Sequence, residues 1–479
     1  MNRLTRAAAL ALAALALVAC GLSSRAVAVH TAMPVPSATA AAVPTMPPVP
    51  TVAAPTELAQ APTSTAARPS TARPTRPPTP APTIAPLDPT PTLAPLAADE
   101  RERIFQDIWQ TVRDNYLYED YRGVDWEATR EEYAPLVAAA TTPDAFYGLM
   151  RQMIDLLGDD HSRFESPQEV AEQQAEFAGK LRYGGIGAEI RDVEEGGMVS
   201  SVVPGGPAER AGIRPRDLLT SINGVAYLDS AAFGPSGPIG EVRGQPGTGV
   251  RLGIISPGQA ERVVIVIREV IDLDAFNRVT AQRLDGGTIG LVTIPSFYVE
   301  SVDAHVREAV EGLLAAGPLE GLLIDVRSNS GGYVHLMANT IALFHDGGSI
   351  GSTSGRNESD DQRIPAGRTI PGMGGVPIAV LTGPETVSAA EMFAAGMQVL
   401  GRAKVAGLPS AGNTENLYAY DFEDGSRILL AVVAYRLPDG TLIEGRGVIP
   451  DRTVDAEWWR YPPDADPQII AAIQAIRAP

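Results

Sequence analysis

Lysine is almost missing from this 479-residue chain: Lys180 and Lys404 stand alone among 38 basic residues, against 57 acidic ones, for a net charge of −19. So acidic a chain lacks the clustered cations that displace counterions from phosphate, which argues against nucleic acid as a partner. Cysteine is scarcer still, Cys20 being the single one. An intrachain disulfide, a Cys-based zinc site and an iron–sulfur cluster are thereby ruled out. The five histidines are scattered singly, with no His-x-x-x-His pair and no glycine-rich phosphate cradle. Neither a metal nor a cofactor is expected. Stability has to come from packed cores, and the length predicts two or three domains.

The N-terminus reads as a targeting element. Arg3 and Arg6 precede the unbroken apolar run from Ala7 to Ala19, too short to span roughly 30 Å of hydrocarbon as a helix. Residues 1–20 are therefore expected to be a signal peptide. The run ends Leu17-Val18-Ala19-Cys20-Gly21, which resembles the bacterial lipobox and implies lipidation at Cys20; an ordinary secreted precursor is the alternative. Residues 21–98 then turn to Pro, Ala and Thr and hold 18 of the 41 prolines, a composition that favours extended polyproline II over a packed core. This linker would hold a folded body off a bacterial membrane on its extracytoplasmic side. Residues 1–98 carry six arginines against Glu57 and Asp88, so the remaining body carries −23, which favours solubility.

That body is expected to be a multidomain α/β protein in three parts. Residues 99–178 form a helical cap: Ile104, Phe105, Ile108, Trp109 and Val112 fall on one helical face. A second helix starts at Thr142-Pro143 and runs to Gly158, followed by Asp159-Asp160-His161-Ser162. Residues 179–272 change to short strand-like runs with turn signals, among them Leu218–Ile222 followed by Asn223-Gly224. From residue 273 to 479 strands and helices alternate, as in Thr288–Ile294, Gly321–Val326 and Pro377–Leu381, the rhythm of a βαβ sheet covered by helices. Active groups in such sheets lie at the carboxyl ends of strands.

Two elements occupy those ends. Arg327-Ser328-Asn329-Ser330-Gly331-Gly332 follows one strand, and its glycines allow backbone amides to approach a ligand closely. Thr386-Val387-Ser388-Ala389-Ala390-Glu391 sits between a strand and a helix, placing a serine where free amides and the helix dipole stabilise developing negative charge. That suits an acyl-transfer nucleophile. Ser388-x-x-Glu391 is equally a capping box with a purely structural role.

Together these residues resemble known families. Tyr183-Gly184-Gly185-Ile186-Gly187-Ala188, Val202 to Ile213 and Gly244-Gln245-Pro246-Gly247-Thr248 resemble a PDZ domain. The resemblance implies that Gly184, Gly185, Ile186 and Gly187 bind a peptide's terminal carboxylate while the peptide adds a strand to a sheet edge. The whole of residues 99–451, including Glu444-Gly445-Arg446-Gly447-Val448-Ile449-Pro450-Asp451, resembles the carboxyl-terminal processing (tail-specific) serine proteases. That implies an endopeptidase acting on unfolded or C-terminal polypeptide segments. Ser388 would be its nucleophile, and the amides of Ala389 with Gly331 or Gly332 would form the oxyanion hole.

One position departs from the family's Ser/Lys pattern. Where a lysine is expected about 25 residues after the serine, Ser410-Ala411-Gly412-Asn413-Thr414-Glu415 holds Asn413, and an amide cannot take the serine proton. Lys404 and Lys180 do not fit the family's geometry. Histidine is the natural base, and an apparent pKa near 6.5 is expected for activity. His305, His335 and His345 are the rivals. His161 is preferred because Asp159-Asp160-His161-Ser162 resembles the element of the tricorn-like and nisin-resistance-type branch, whose helical cap lends a histidine. Glu415, with Asp160 as rival, is expected to orient the imidazole. The alternative reading is an inactive relative that binds peptide ends without cutting them.

Overall fold

The computed structural model describes residues 96–159, 161–177, 183–234 and 237–477. The apolar run Ala7 to Ala19, Cys20, nearly all of the proline-rich segment, Asp160 and Lys180 lie outside the described residues. Among the described residues no helix is long and apolar enough to cross a membrane.

The cap is built from four helices, Ala98–Asn115, Trp126–Ala139, Pro143–Asp155 and Pro167–Phe177. The face expected on the first helix is the buried one: Ile104, Phe105, Ile108, Trp109 and Val112 all lie inside. The helix at Pro143 opens as its sequence indicates, with Thr142 Oγ1 accepting the Ala145 amide at 3.3 Å. Trp126–Ala139, carrying Pro135 in its interior, is an element that the pattern did not announce. The cap does not stand alone. Its buried side chains share one core with Ile428, Leu430, Ala431, Val432 and Val433.

Those residues belong to an antiparallel sheet that sequence patterning missed. Its path runs Arg163–Glu165, Arg427–Arg436, Ser349–Gly355, Ser359–Arg363, with Asn416–Asp421 also paired to Arg427–Arg436. The central strand is buried at nine successive positions. It shows no alternation because the cap packs along it and Tyr435, near its end, enters the main core.

The main sheet has the order Thr280–Leu284, Ile289–Thr293, Gly321–Asp325, Ile378–Thr382, Ala403–Gly407, Arg452–Thr453. Its first pair is antiparallel and the rest are parallel. Alternate strand residues face opposite layers. Val292, Ile324, Val380 and Val405 pack with the helices Val302–Ala315, Val334–Ile341 and Ala389–Val399, while Leu291, Leu323, Ala379 and Ala406 pack beneath the helix Pro467–Arg477. Helices on both faces leave the carboxyl ends of the parallel strands as the open rim.

Between cap and main sheet the chain forms a separate sheet, Ala188–Val193, Gly196–Val202, Leu218–Ile222, Gly249–Ile255 and Arg262–Ile267 in spatial order. It is fixed to the main body by two arginines. Arg191 reaches Glu385 at 2.7 Å and the Ser328 carbonyl at 3.1 Å. Arg216 reaches the carbonyls of Trp458 and Tyr461 and, at 3.0 Å, Asp466. Asp466 in turn binds Arg327, which is also clamped by Asp325 and lies over the Trp458 ring.

Candidate active site

Ser388 stands where the strand Ile378–Thr382 gives way to the helix Ala389–Val399. The approach is strapped down by Thr386, whose hydroxyl donates to the Val326 carbonyl at 2.9 Å, and by the Val387 amide, which donates to the Asn329 carbonyl at 3.0 Å. Both expected elements are thus joined at the ends of neighbouring strands. Ser388 itself has φ +55° and ψ −121°, a conformation costly for any residue with a Cβ, and the one that turns a serine out of a sharp strand-to-helix bend.

The capping-box alternative is only half realised. Glu391 accepts the Ser388 amide at 2.9 Å, but Ser388 Oγ makes no hydrogen bond among the described residues and is half-buried, within reach of a ligand. Glu391 is instead the anchor of the following loop. Fully buried, it accepts from Ser410 Oγ and the amides of Gly412 and Asn413 at 2.7 to 2.8 Å. Burial drives its carboxyl above the ordinary glutamate value despite these donors. The anchored loop returns the contact, since the Asn413 carbonyl accepts the Ser388 amide at 2.9 Å.

The glycine turn lies directly over the serine. A Cβ placed on Gly331 would sit 2.9 Å from Ser388 Cβ, and one on Gly332 would sit 2.2 Å from the Phe297 carbonyl carbon. Of the three amides expected to face an oxyanion, that of Gly331 is engaged, donating to Asn329 Oδ1 at 2.9 Å. The amides of Gly332 and Ala389 donate to no other described residue.

His161 is held by the cap and by the antiparallel sheet together. Asp159 accepts the backbone amides of His161 and Ser162, and Tyr116 donates to the same carboxylate at 2.6 Å. Ser162 Oγ accepts the Ala431 amide at 3.1 Å, and Arg163–Glu165 pairs with the strand Arg427–Arg436. The buried imidazole presents Nε2 to Glu444 Oε1 at 3.0 Å. Glu415, expected beside this ring, lies farther off at 3.8 Å, because the Tyr118 hydroxyl holds its Oε1. The carboxylate in hydrogen-bond contact is therefore Glu444. Its other oxygen accepts from the Thr414 amide at 2.6 Å, the Thr414 hydroxyl at 3.2 Å and the Glu415 amide at 3.2 Å.

The loop 412–415 thus joins both halves of the site: Asn413 touches Ser388, while Thr414 and Glu415 hold the carboxylate that touches His161. No direct hydrogen bond links Ser388 Oγ with the ring. Burial pulls the His161 pKa down, but the hydrogen bond to Glu444 and the charges of Glu415, Glu444 and Asp159 outweigh it and leave it above the ordinary histidine value. Burial pushes Glu415 up. It would raise Glu444 too, yet His161 and Thr414 hold that group below its usual range.

The other expectations are placed elsewhere. His305 and His335 are exposed, His345 binds the Gly347 carbonyl at 2.8 Å, and Lys404 is an exposed partner of Asp451. In the small sheet domain, Gly184 and Gly185 are not loop: they form a short strand with Tyr183 against Glu269–Ile271, and Gly184 packs against Gly244 and Pro246. Ile186 and Gly187 follow that strand and precede the edge strand Ala188–Val193. Beyond the capping contact of Glu391 with the Ser388 amide, the sequence did not disclose the contacts of Glu391 with Ser410, Gly412 and Asn413 or those of Glu444, though Glu444 opens one of the motifs and Glu391 closes another.

A serine on a strained strand-to-helix bend, with free amides beside it, on a helix-covered parallel sheet that carries a PDZ domain, is the arrangement of a serine-type peptidase. The comparisons agree on the class. Residues 288–454 match the model of Peptidase family S41, residues 97–155 that of the tricorn protease C1 domain, and residues 198–231 that of the PDZ domain. Residues 288–454 thus carry an S41 peptidase domain, and the chain is similar to carboxyl-terminal processing peptidases. It is 27% identical over 380 residues to the chloroplastic C-terminal processing peptidase of Tetradesmus obliquus, covering 75% of this chain and 79% of that one. To the carboxyl-terminal-processing protease of Synechocystis it is 26% identical, covering 75% and 82%. The solved structure of the photosystem II D1 C-terminal processing protease superposes with a TM-score of 0.54 at 25% identity, over 75% of this chain and 94% of that one.

Proposed function

We propose that this chain is an extracytoplasmic, lipid-anchored serine endopeptidase that cuts unfolded or C-terminal polypeptide segments through an acyl-enzyme on Ser388, with His161 as its general base. The observation that carries this reading is the 412–415 loop, which contacts Ser388 on one side and the Glu444 partner of His161 on the other. Glu444 accepts the Nε2 proton and orients the ring, leaving the Nδ1 lone pair to take the Ser388 hydroxyl proton. The oxygen attacks the scissile carbonyl, and the oxyanion is received by the amides of Ala389 and Gly332. The imidazolium then protonates the leaving amine, and water, deprotonated by the same ring, releases the acyl group.

The open edge of Ala188–Val193 and the Ile186-Gly187 turn beside it supply the place for a substrate end to add as a strand. Arg191, on that edge strand, contacts both catalytic loops through Glu385 and Ser328. The leader and Cys20 motivate the location: Cys20→Ala should release the protein from the membrane fraction, and acyl label persisting on that variant would overturn the anchor. The catalytic reading is tested on an unfolded protein substrate. Ser388→Ala and His161→Ala should each abolish turnover, and full activity in His161→Ala would remove that residue from the mechanism. A peptide-binding relative without turnover would leave Ser388 unlabelled by a fluorophosphonate.

A further inference from the structure

Three side chains far apart in sequence aim at one point. The ligand-capable atoms of His161, Glu415 and Glu444 all lie within 4.8 Å of one another. From His161 Nε2 the distances are 3.0 Å to Glu444 Oε1 and 3.8 Å to Glu415 Oε2. A tetrahedral ion with nitrogen and carboxylate ligands at about 2.0 to 2.2 Å separates neighbouring ligands by about 3.3 to 3.6 Å, a spacing these two distances bracket.

The second observation is independent of that spacing. Glu415 is only 4% exposed, and its Oε2 has no hydrogen-bond partner, although it is buried. Buried acceptors are normally satisfied, and an orphan one requires an explanation. Each carboxylate also has one oxygen fixed and one aimed at the ring. Tyr118 holds Glu415 Oε1, the Thr414 and Glu415 amides hold Glu444 Oε2, and Asp159 fixes the histidine backbone. Such outer contacts orient the ligands of a metal site.

We infer that His161, Glu415 and Glu444 form a binding site for a divalent transition ion, zinc first, and that its occupation switches the peptidase off. One imidazole and two carboxylates, with a fourth position open, suit zinc; calcium and magnesium prefer more oxygen ligands. The switching half rests on the proposed role of His161. An ion on Nε2 takes that nitrogen's lone pair, so the neutral ring carries its one proton on Nδ1. Nδ1 is the atom that has to be bare to accept the Ser388 proton, and Glu444 is withdrawn from the ring at the same time.

Calorimetric titration of the metal-free full chain with zinc chloride tests the site without recourse to activity. One ion per chain should bind, at least ~tenfold more weakly in Glu415→Gln and in His161→Ala, and with unchanged affinity in Ser388→Ala. An absence of saturable binding would overturn the site, as would equal affinity in both ligand variants, which would place the ion elsewhere on this acidic surface. The switch is read separately. Saturating zinc should slow fluorophosphonate labelling of Ser388 at least ~tenfold, reversibly with EDTA. Zinc bound with no change in labelling would overturn the switch. A chain that binds zinc but never labels would refute the catalytic reading and leave the site standing.

Discussion

His161 Nε2 and Glu444 Oε1 lie 3.0 Å apart although 283 positions separate them in the chain. The contact joins the cap to the loop that follows the central strand of the antiparallel sheet, and it engages Nε2, so that Nδ1 is the ring nitrogen the proposed mechanism assigns to the serine proton. It also sets the charge balance. A ring flanked by Glu444, Glu415 and Asp159 holds its proton to higher pH than a free histidine, even though burial acts the other way.

The pH dependence follows with a definite sign. A general base works only when neutral, so kcat/KM of the metal-free enzyme should rise with pH through a midpoint above the ~6.5 of an unperturbed histidine. Glu444→Gln removes a charge that stabilises imidazolium. Its midpoint should fall below that of the wild type, and its plateau should drop as well because the ring loses its orienting acceptor. A profile over roughly pH 5 to 9 on a peptide substrate reads both; a midpoint that rises in the variant would contradict the assignment.

The strain at Ser388 is testable apart from catalysis. With φ +55° and no hydrogen bond from Oγ, this residue gives the fold nothing that glycine would not. Ser388→Gly should be inactive yet more resistant to denaturant than Ser388→Ala, by about 1 kcal/mol. Urea midpoints of the two variants settle the point, and a less stable glycine variant would show the bend to be unstrained.

Stability at the sheet rim rests on buried charge. Arg327 is clamped by Asp325 and Asp466, with Arg216 sharing Asp466 from the PDZ side. Arg327→Met leaves Asp325 without its closest cation and should lower stability by about 3 to 5 kcal/mol. Thermal unfolding would show this, and a wild-type midpoint would refute it.

How far the sequence reveals this molecule depends on where each signal resides. Ile104, Phe105, Ile108, Trp109 and Val112 declared their helix because one face is dry and the other wet. The strands Ile289–Thr293, Gly321–Asp325 and Ile378–Thr382 declared theirs as short apolar runs between turns. The run Arg427–Arg436 is buried at nearly every position and has no period to read, and the antiparallel sheet around it stayed hidden for that reason. At the site, Ser388, the glycine turn and His161 were marked by local motifs. Glu444 was not distinguishable from Glu415, because the choice depends on Tyr118 occupying one of them from a different element. No spacing rule could have shown the three-ligand cluster, whose members come from three distant segments.

Activation of Ser388 by an imidazole from the cap is read by the rate of fluorophosphonate labelling at Ser388 with EDTA present. The wild type should label, and His161→Ala should label more slowly by about 10² to 10⁴. Equal rates in the two proteins would contradict it.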